Sequence, residues 1–354
     1  YQRRVRGMTR VLNTFEQLLL DNSCYLHAQI FTNNPSELFG TLKKLIQFHL
    51  KVENHKVSVH PKKAKFVAIE CASFGEYVRN FEKQETKQQN LQVLKQSVIV
   101  SLSHAFCDGM CLAGIIGGQI PKQALPSCLY SAFLQDKVAF PVPAQTMHVV
   151  SARSPENTKL KTTEKDTDTP LQMVNQQIEL AFCLAIHKLH GLRSKFFTVG
   201  TLTNVNLRKQ TAVENPLCFV QRVHNGAVYD KSVLVKDCLA TQKQNLLRRI
   251  EQKEYLTVVQ GGDEDGGSAD GSFELEMSNL GKVACQCDIA ITADSPQRTL
   301  SLLVWTHITT HLKLHYSDAI LSEEQAEHVL VWTMEFMHKI EDDITLDFLF
   351  NQVK

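Results

Sequence analysis

Residues Gln96 to Gly118 read QSVIVSLSHAFCDGMCLAGIIGG, and the rest of the chain is best understood outward from them. Ser97 to Leu102 is a short run rich in β-branched residues that stops at polar and glycine residues, the pattern of a buried strand. Met110 to Gly118 is apolar, built of small residues and free of proline, and predicts the start of a buried helix. His104 and Asp108 therefore fall on a loop between a core strand and a core helix. Rigid scaffolds commonly hold their reactive groups at such places.

Upstream, Leu12 to Leu20 is a short helix-like stretch containing Glu16, and Tyr25 to Phe31 alternates like a strand. Asn34 as N-cap, Pro35 at the first helical position and Glu37 three after the cap open a helix. Leu38, Leu42, Leu45 and Ile46 keep its period through Leu50. Phe66 to Cys71 reads as a strand, and the polar stretch Arg79 to Gln92 fits a solvated helix or a loop equally well.

Downstream, Pro121 to Pro143 is a proline-punctuated connection. Ser151 to Pro170 is almost free of aliphatic residues and reads as a linker or surface loop. It separates an N-terminal lobe, 1–150, from a C-terminal lobe, 171–354. The second lobe opens with a helix, Leu171 to His190. Strand Phe196 to Thr203 then leads into Asn204–Arg208, and a helix spans Val233 to Gln252. Gly261 to Gly271 is a flexible acidic loop. Further strands are expected at Phe273 to Ser278, running into Asn279-Leu280-Gly281, at Val283 to Ile291 and at Leu300 to Leu314. Ser322 with Gln325 makes a capping box for a last helix whose Val329, Trp332, Phe336 and Ile340 share a face. Strands and helices interspersed in both halves predict an α/β protein of two lobes, each a mixed sheet with helices.

The 354 residues carry a net charge of +1, which gives no basis for a nucleic-acid surface. No apolar run approaches the roughly 18 residues of a membrane span. The ten cysteines lie mostly inside apolar runs and include no CxxC pair, so reduced thiols in a cytoplasmic setting are expected. Tyr1 to Met8 is basic without a following apolar segment, which is not the pattern of a secretory leader, although a targeting segment ahead of Tyr1 stays open.

The H-x-x-x-D-G of His104, Asp108 and Gly109 after a buried strand resembles the signature of the CoA-dependent acyltransferases with the chloramphenicol-acetyltransferase fold. Val205-Asn206-Leu207-Arg208, Ser278-Asn279-Leu280-Gly281 and the closing LHYSDAILSEEQAEHVLVWTMEF resemble, in order, further signatures of the alcohol O-acetyltransferase, wax ester synthase and condensation-domain branches. Ser103 stands where many members have a second histidine, and the plant-type D-F-G-W-G is absent. The resemblance implies two chloramphenicol-acetyltransferase-like lobes with the active site at their interface. It also implies acetyl-CoA or another acyl-CoA as co-substrate, an alcohol acceptor, and no bound cofactor or metal.

Acyl transfer to a hydroxyl needs a base that works near neutral pH, and imidazole fits. His104 is the candidate, against the alternative of a core histidine satisfied by backbone. Ser103 is not a nucleophile for it, because neighbouring strand residues face opposite ways. The resemblance makes Asp108 and Arg208 a structural brace, and Gly109 would permit the tight turn into the helix. Ser278, Asn279 and the backbone around Gly281 are oxyanion candidates, against a plain strand-ending turn. His307, His311 and His315 at even spacing could mark a metal site, but one strand is a poor source of tetrahedral ligands. The acidic loop lacks calcium-loop spacing, and Cys107 or Cys111 as nucleophile is a minor alternative. A carrier-protein thioester could replace CoA. A binding or scaffold protein that kept the fold without turnover is the reading from another class.

Overall fold

The computed structural model describes residues 9–11, 17, 20–21, 23–45, 50–54, 56–59, 66–85, 87–118, 147–153, 171–191, 195–206, 220–252, 274–292, 299–317 and 320–354. In chain order the first elements are β1 (Thr9–Val11), β2 (Tyr25–Phe31), α1 (Pro35–Leu45), β3 (Leu50–Glu53), β4 (Lys56–Val59), α2 (Phe74–Glu82), β5 (Asn90–Val93), β6 (Ser97–Ser103) and α3 (Gly109–Ile116). Then come β7 (Met147–Arg153), α4 (Leu171–Leu189), β8 (Phe196–Asn206), β9 (Val220–Asp230) and α5 (Val235–Glu251). The last are β10 (Glu274–Lys282), β11 (Cys287–Thr292), β12 (Thr299–Thr306), β13 (Thr310–Ser317), α6 (Glu323–Lys339) and α7 (Leu346–Gln352). The fold is mixed α/β.

The chain forms two compact units, and the division is not a single cut. Residues 1–144, 206–220 and 283–295 make the first, and 145–205, 221–282 and 296–354 the second. The excursion at 283–295 has a plain cause: β11 pairs antiparallel with β2, Cys287 opposite Ile30 through Thr292 opposite Tyr25. In the stretch 151–170, the first three residues belong to β7 and 154–170 lie outside the described residues.

The first unit holds a four-stranded sheet in the order β11-β2-β6-β5 and a three-stranded one, β1-β4-β3. All seven residues of β6 are buried, as its β-branched run predicts. Helix α2 covers one face, where Phe74, Tyr77, Val78 and Phe81 pack with Tyr25, Ile69, Ile99 and Ala290. The helix at Pro35 ends at Leu45, and Leu50 opens β3 rather than extending the helix. A hairpin pulls it away: Glu53 pairs with Lys56 across a turn in which Asn54 takes φ 48°, a left-handed value asparagine tolerates.

Phe66 to Cys71 is extended but not a strand of the sheet. Side-chain amides replace the ladder: Val67 N–H donates to Asn90 Oδ1 at 3.0 Å and Asn90 Nδ2 donates to Val67 O at 2.9 Å. Gln92 grips Ile69 in the same two-point way at 2.9 and 2.8 Å. Arg79 to Gln92, open on sequence, divides into the end of α2, a connection and the start of β5.

The second unit holds a six-stranded mixed sheet, β7-β13-β12-β10-β8-β9. β10 runs parallel to β8 and β12, whereas β12, β13 and β7 are antiparallel. Leu302, Val304, Leu312, Leu314 and Tyr316 point to one face and share a core with Phe182 and Ala185 of α4, Cys238 of α5 and Val329 and Phe336 of α6. The capping box at Ser322 and Gln325 is present at the start of α6. Leu300 to Leu314 is a hairpin, not one strand. His307 N–H donates to Thr309 O at 3.2 Å in the turn, a reversal made without the glycine or proline that would announce it.

Candidate active site

His104 follows the last residue of β6. Tyr25 pairs with Ser103, and one step further His104 N–H donates to Cys24 O at 2.9 Å, so β2 pins the backbone of His104. A tight turn follows, with Phe106 N–H donating to Ser103 O at 3.0 Å. The His104 side chain is half-buried between a strand and a helix that are themselves core elements.

Asp108 has a role not foreseen from the sequence: it is the N-cap of α3. Its backbone is extended (φ −92°, ψ 174°), its Oδ1 accepts the Cys111 N–H at 2.7 Å, and its carbonyl accepts the Leu112 N–H at 2.9 Å. A carboxylate there satisfies an otherwise unmet helix donor and lies at the favourable end of the helix dipole. An Asp directly before an apolar helical run was a legible cap signal. Gly109 is the first helical residue, and it is not among the described glycines with left-handed backbone, so it supplies no positive-φ turn. The helix seats Leu112, Ile115 and Ile116 in the core, and Cys285 Sγ donates to Ile116 O at 3.8 Å. Burial pushes the Cys285 thiol up, away from the thiolate a nucleophile needs.

Ser103 is buried, and its hydroxyl has no hydrogen-bond partner among the described residues, the His104 ring included. Val205 and Asn206 are the last described residues of β8, and Leu207 and Arg208 lie outside the described residues. So do Glu16 and the acidic loop 261–271.

In the second unit, Ser278, Asn279 and Gly281 fall inside β10 rather than after it, at an irregularity between Asn279 and Lys282 where the register with β12 shifts. Gly281 has φ +67°, a conformation that favours glycine. Asn279 Oδ1 accepts the Gly281 N–H at 2.8 Å, and Asn279 Nδ2 donates to Asn175 Oδ1 on α4 at 2.6 Å. The Gly281 N–H is thus engaged within its own motif. Ser278 is half-buried on the face opposite Met277 of the helix-covered core.

His311 and His315 share a face of β13, while His307 sits in the preceding turn. The His311 ring stacks on Trp305 with centroids 5.0 Å apart and planes 4° apart. Burial, with a lesser contribution from the Lys313 charge, pushes the His315 pKa down to about 3. Among the described residues no group of three or more His, Cys, Asp or Glu is placed to hold a metal. Nor is any helix among them long and apolar enough to cross a membrane.

No family model and no curated protein sequence matches the chain. Solved structures do match, along nearly their whole length. Polyketide synthase associated protein 5 from Mycobacterium tuberculosis is 11% identical, with a TM-score of 0.62 over 94% of this chain and 98% of its own. Trichothecene 15-O-acetyltransferase from Fusarium sporotrichioides is 11% identical, with a TM-score of 0.60 over 93% and 95%. The starter condensation domain of rhizomide synthetase is 10% identical, with a TM-score of 0.53 over 96% and 98%. At these identities the likeness establishes the fold: mixed α/β, shared with an O-acetyltransferase and with a condensation domain.

Proposed function

We propose that the chain is an acyltransferase that moves an acyl group, most simply acetyl, from a CoA thioester to an alcohol, with His104 as general base. The observation that carries this is the placement of His104: a half-buried imidazole at the end of an entirely buried strand, held by Cys24 O and followed by a capped helix. The shared fold supports the reaction class.

In the proposed reaction the imidazole takes the proton of the acceptor hydroxyl as its oxygen attacks the thioester carbonyl. The tetrahedral oxyanion then collapses, the C–S bond breaks, and the imidazolium returns the proton to the departing thiolate. An ester and a free thiol result, with no acyl-enzyme. Asp108, besides capping α3, would pair with Arg208 as a brace. Ser278, Asn279 and the backbone around Gly281 are the candidates for hydrogen bonding to the oxyanion.

Labelled acetyl-CoA offered with a panel of short- and long-chain alcohols, read by mass spectrometry beside His104→Ala, tests the reading. Product from the parent and none from the variant is expected; equal product from both would remove His104 as the base. Likeness to a starter condensation domain favours a second reading in which the thioester is on a carrier protein. Transfer from a loaded carrier without transfer from CoA would establish it. No transfer from either donor would leave a binding or scaffold protein.

A further inference from the structure

On the α2 side of the first unit's sheet, five polar side chains are buried in one continuous chain of hydrogen bonds. Asn90, Tyr77, Ser101, His27 and Thr292 are each at most 4% exposed. The links are Asn90 Nδ2 to Tyr77 OH at 3.2 Å, Tyr77 OH to Ser101 Oγ at 2.8 Å, Ser101 Oγ to His27 Nδ1 at 2.8 Å and His27 Nε2 to Thr292 Oγ1 at 2.9 Å.

The direction of the chain follows from one end. Asn90 cannot be turned over, because its Oδ1 accepts the Val67 N–H and its Nδ2 donates to Val67 O, two backbone groups of fixed character. Its other Nδ2–H must therefore donate to the Tyr77 oxygen. Burial pushes the Tyr77 phenol up, so it keeps its proton, and that proton is left to point at Ser101. With that proton accepted, the Ser101 hydroxyl has one proton of its own to give, and His27 Nδ1 at 2.8 Å lies within reach of it. A neutral imidazole that accepts at Nδ1 carries its proton on Nε2 and donates it to Thr292.

The chain joins five segments: β5 through Asn90, α2 through Tyr77, β6 through Ser101, β2 through His27 and β11 through Thr292. His27 and Ser101 are directly paired across β2 and β6. That is the same pairing that carries on to Tyr25 opposite Ser103 and to the His104 N–H bond with Cys24 O. A slip of two residues would keep every side chain on its face and set His27 opposite Ser103, whose buried hydroxyl has no partner among the described residues. Only in the observed register does His27 complete the path from Tyr77 to Thr292.

We propose that this one-way chain holds His27 as the neutral Nε2–H tautomer and fixes the β2–β6 register that places His104, which makes Ser101, His27 and Tyr77 positioning residues for the base. The kinetic side of this rests on His104 being the base; the tautomer does not.

The test compares Ser101→Thr with Ser101→Val, which have the same shape and differ by a hydroxyl against a methyl, with Tyr77→Phe as an independent break in the chain. Nitrogen-15 spectra of histidine-labelled unmodified protein should show a neutral His27 ring protonated on Nε2. Ser101→Val and Tyr77→Phe should lower kcat by about 10- to 100-fold, the cost of a small misplacement, with KM for donor and acceptor unchanged. Ser101→Thr should retain kcat, and the His104 ring signals should move in Ser101→Val and not in Ser101→Thr. A proton on Nδ1 of His27 would overturn the proposal. So would equal kcat and equal His104 signals in the Thr and Val variants. Should parent and His104→Ala turn over equally, the base assignment falls and the spectra alone decide the chain's direction and its reach to His104.

Discussion

Substitution of Asp108 should separate two contributions of one carboxylate. The observed one is the cap: Oδ1 takes the Cys111 N–H at 2.7 Å at a position only 1% exposed. Alanine deletes that acceptor at a cost of about 1 kcal/mol, within the roughly 0.5–2 kcal/mol typical of N-caps. Asparagine caps about as well as aspartate, so Asp108→Asn should keep this contribution. The proposed partnership with Arg208 responds to charge instead. Breaking a buried ion pair from one side costs about 3–5 kcal/mol, because the other charge is left uncompensated. Asp108→Asn is therefore expected to lose about 3–5 kcal/mol and Asp108→Ala about 1 kcal/mol more. Urea unfolding followed by circular dichroism reads the totals. Hydrogen exchange at the Cys111 amide reads the cap alone, and should be about fivefold faster in Asp108→Ala than in Asp108→Asn, the equivalent of about 1 kcal/mol. Asp108→Asn within about 0.5 kcal/mol of the parent would refute the pairing with Arg208, and equal exchange in the two variants would refute the cap.

Ser103→Ala should be neutral or stabilising by up to about 1 kcal/mol and should leave turnover intact, since it removes a buried hydroxyl with no partner among the described residues; loss of turnover would restore Ser103 as a chemical participant. Stability should fall as the medium is acidified below about pH 6.5, because His315 titrates at about 3 in the fold and near 6.5 when unfolded. Between those values the unfolded chain binds the extra proton, so stability rises with pH, by up to about 1.4 kcal/mol per unit. Urea midpoints at pH 5, 6 and 7 in the parent and in His315→Phe measure this, and an unchanged slope in the variant would disprove the assignment.

Local signals explain what could be read from sequence and what could not. The β-branched run of β6, the alternation of β2 and the caps at Asn34 and Ser322 are short-range patterns, and the structure carries each of them. Helix α2 carries local signals of its own, with Phe74, Tyr77, Val78 and Phe81 at helical spacing and Ser73 Oγ accepting the Glu76 N–H at 3.2 Å, but reading Arg79 to Gln92 as one polar stretch cuts across its end. The Asn90 and Gln92 grip on Val67 and Ile69 reaches across 23 positions, and His27 meets Thr292 across 265. No periodicity encodes a partner at such separations. In the candidate site, the loop bearing His104 and Asp108 lies between strand and helix as its residue pattern predicts, whereas the register shift that keeps Ser278 to Gly281 inside β10 is visible only in the pairing with β12.

The departure of β11 from its neighbours in sequence bears on how the protein is made. β10 and β12 lie side by side and parallel, and the segment joining them leaves to become the outer strand beside β2. During synthesis β2, β5 and β6 emerge within the first 103 residues, yet their sheet must wait for residue 292 before that edge is closed and His27 finds Thr292. At about 5–20 residues per second the interval is about 10–40 s, far longer than hairpins take to form. Through that time β2 presents open backbone to any other strand nearby. A fragment ending near residue 150 would keep that edge permanently, so a gene cut there should yield an aggregating product, while co-expression of the remainder should deliver the missing strand.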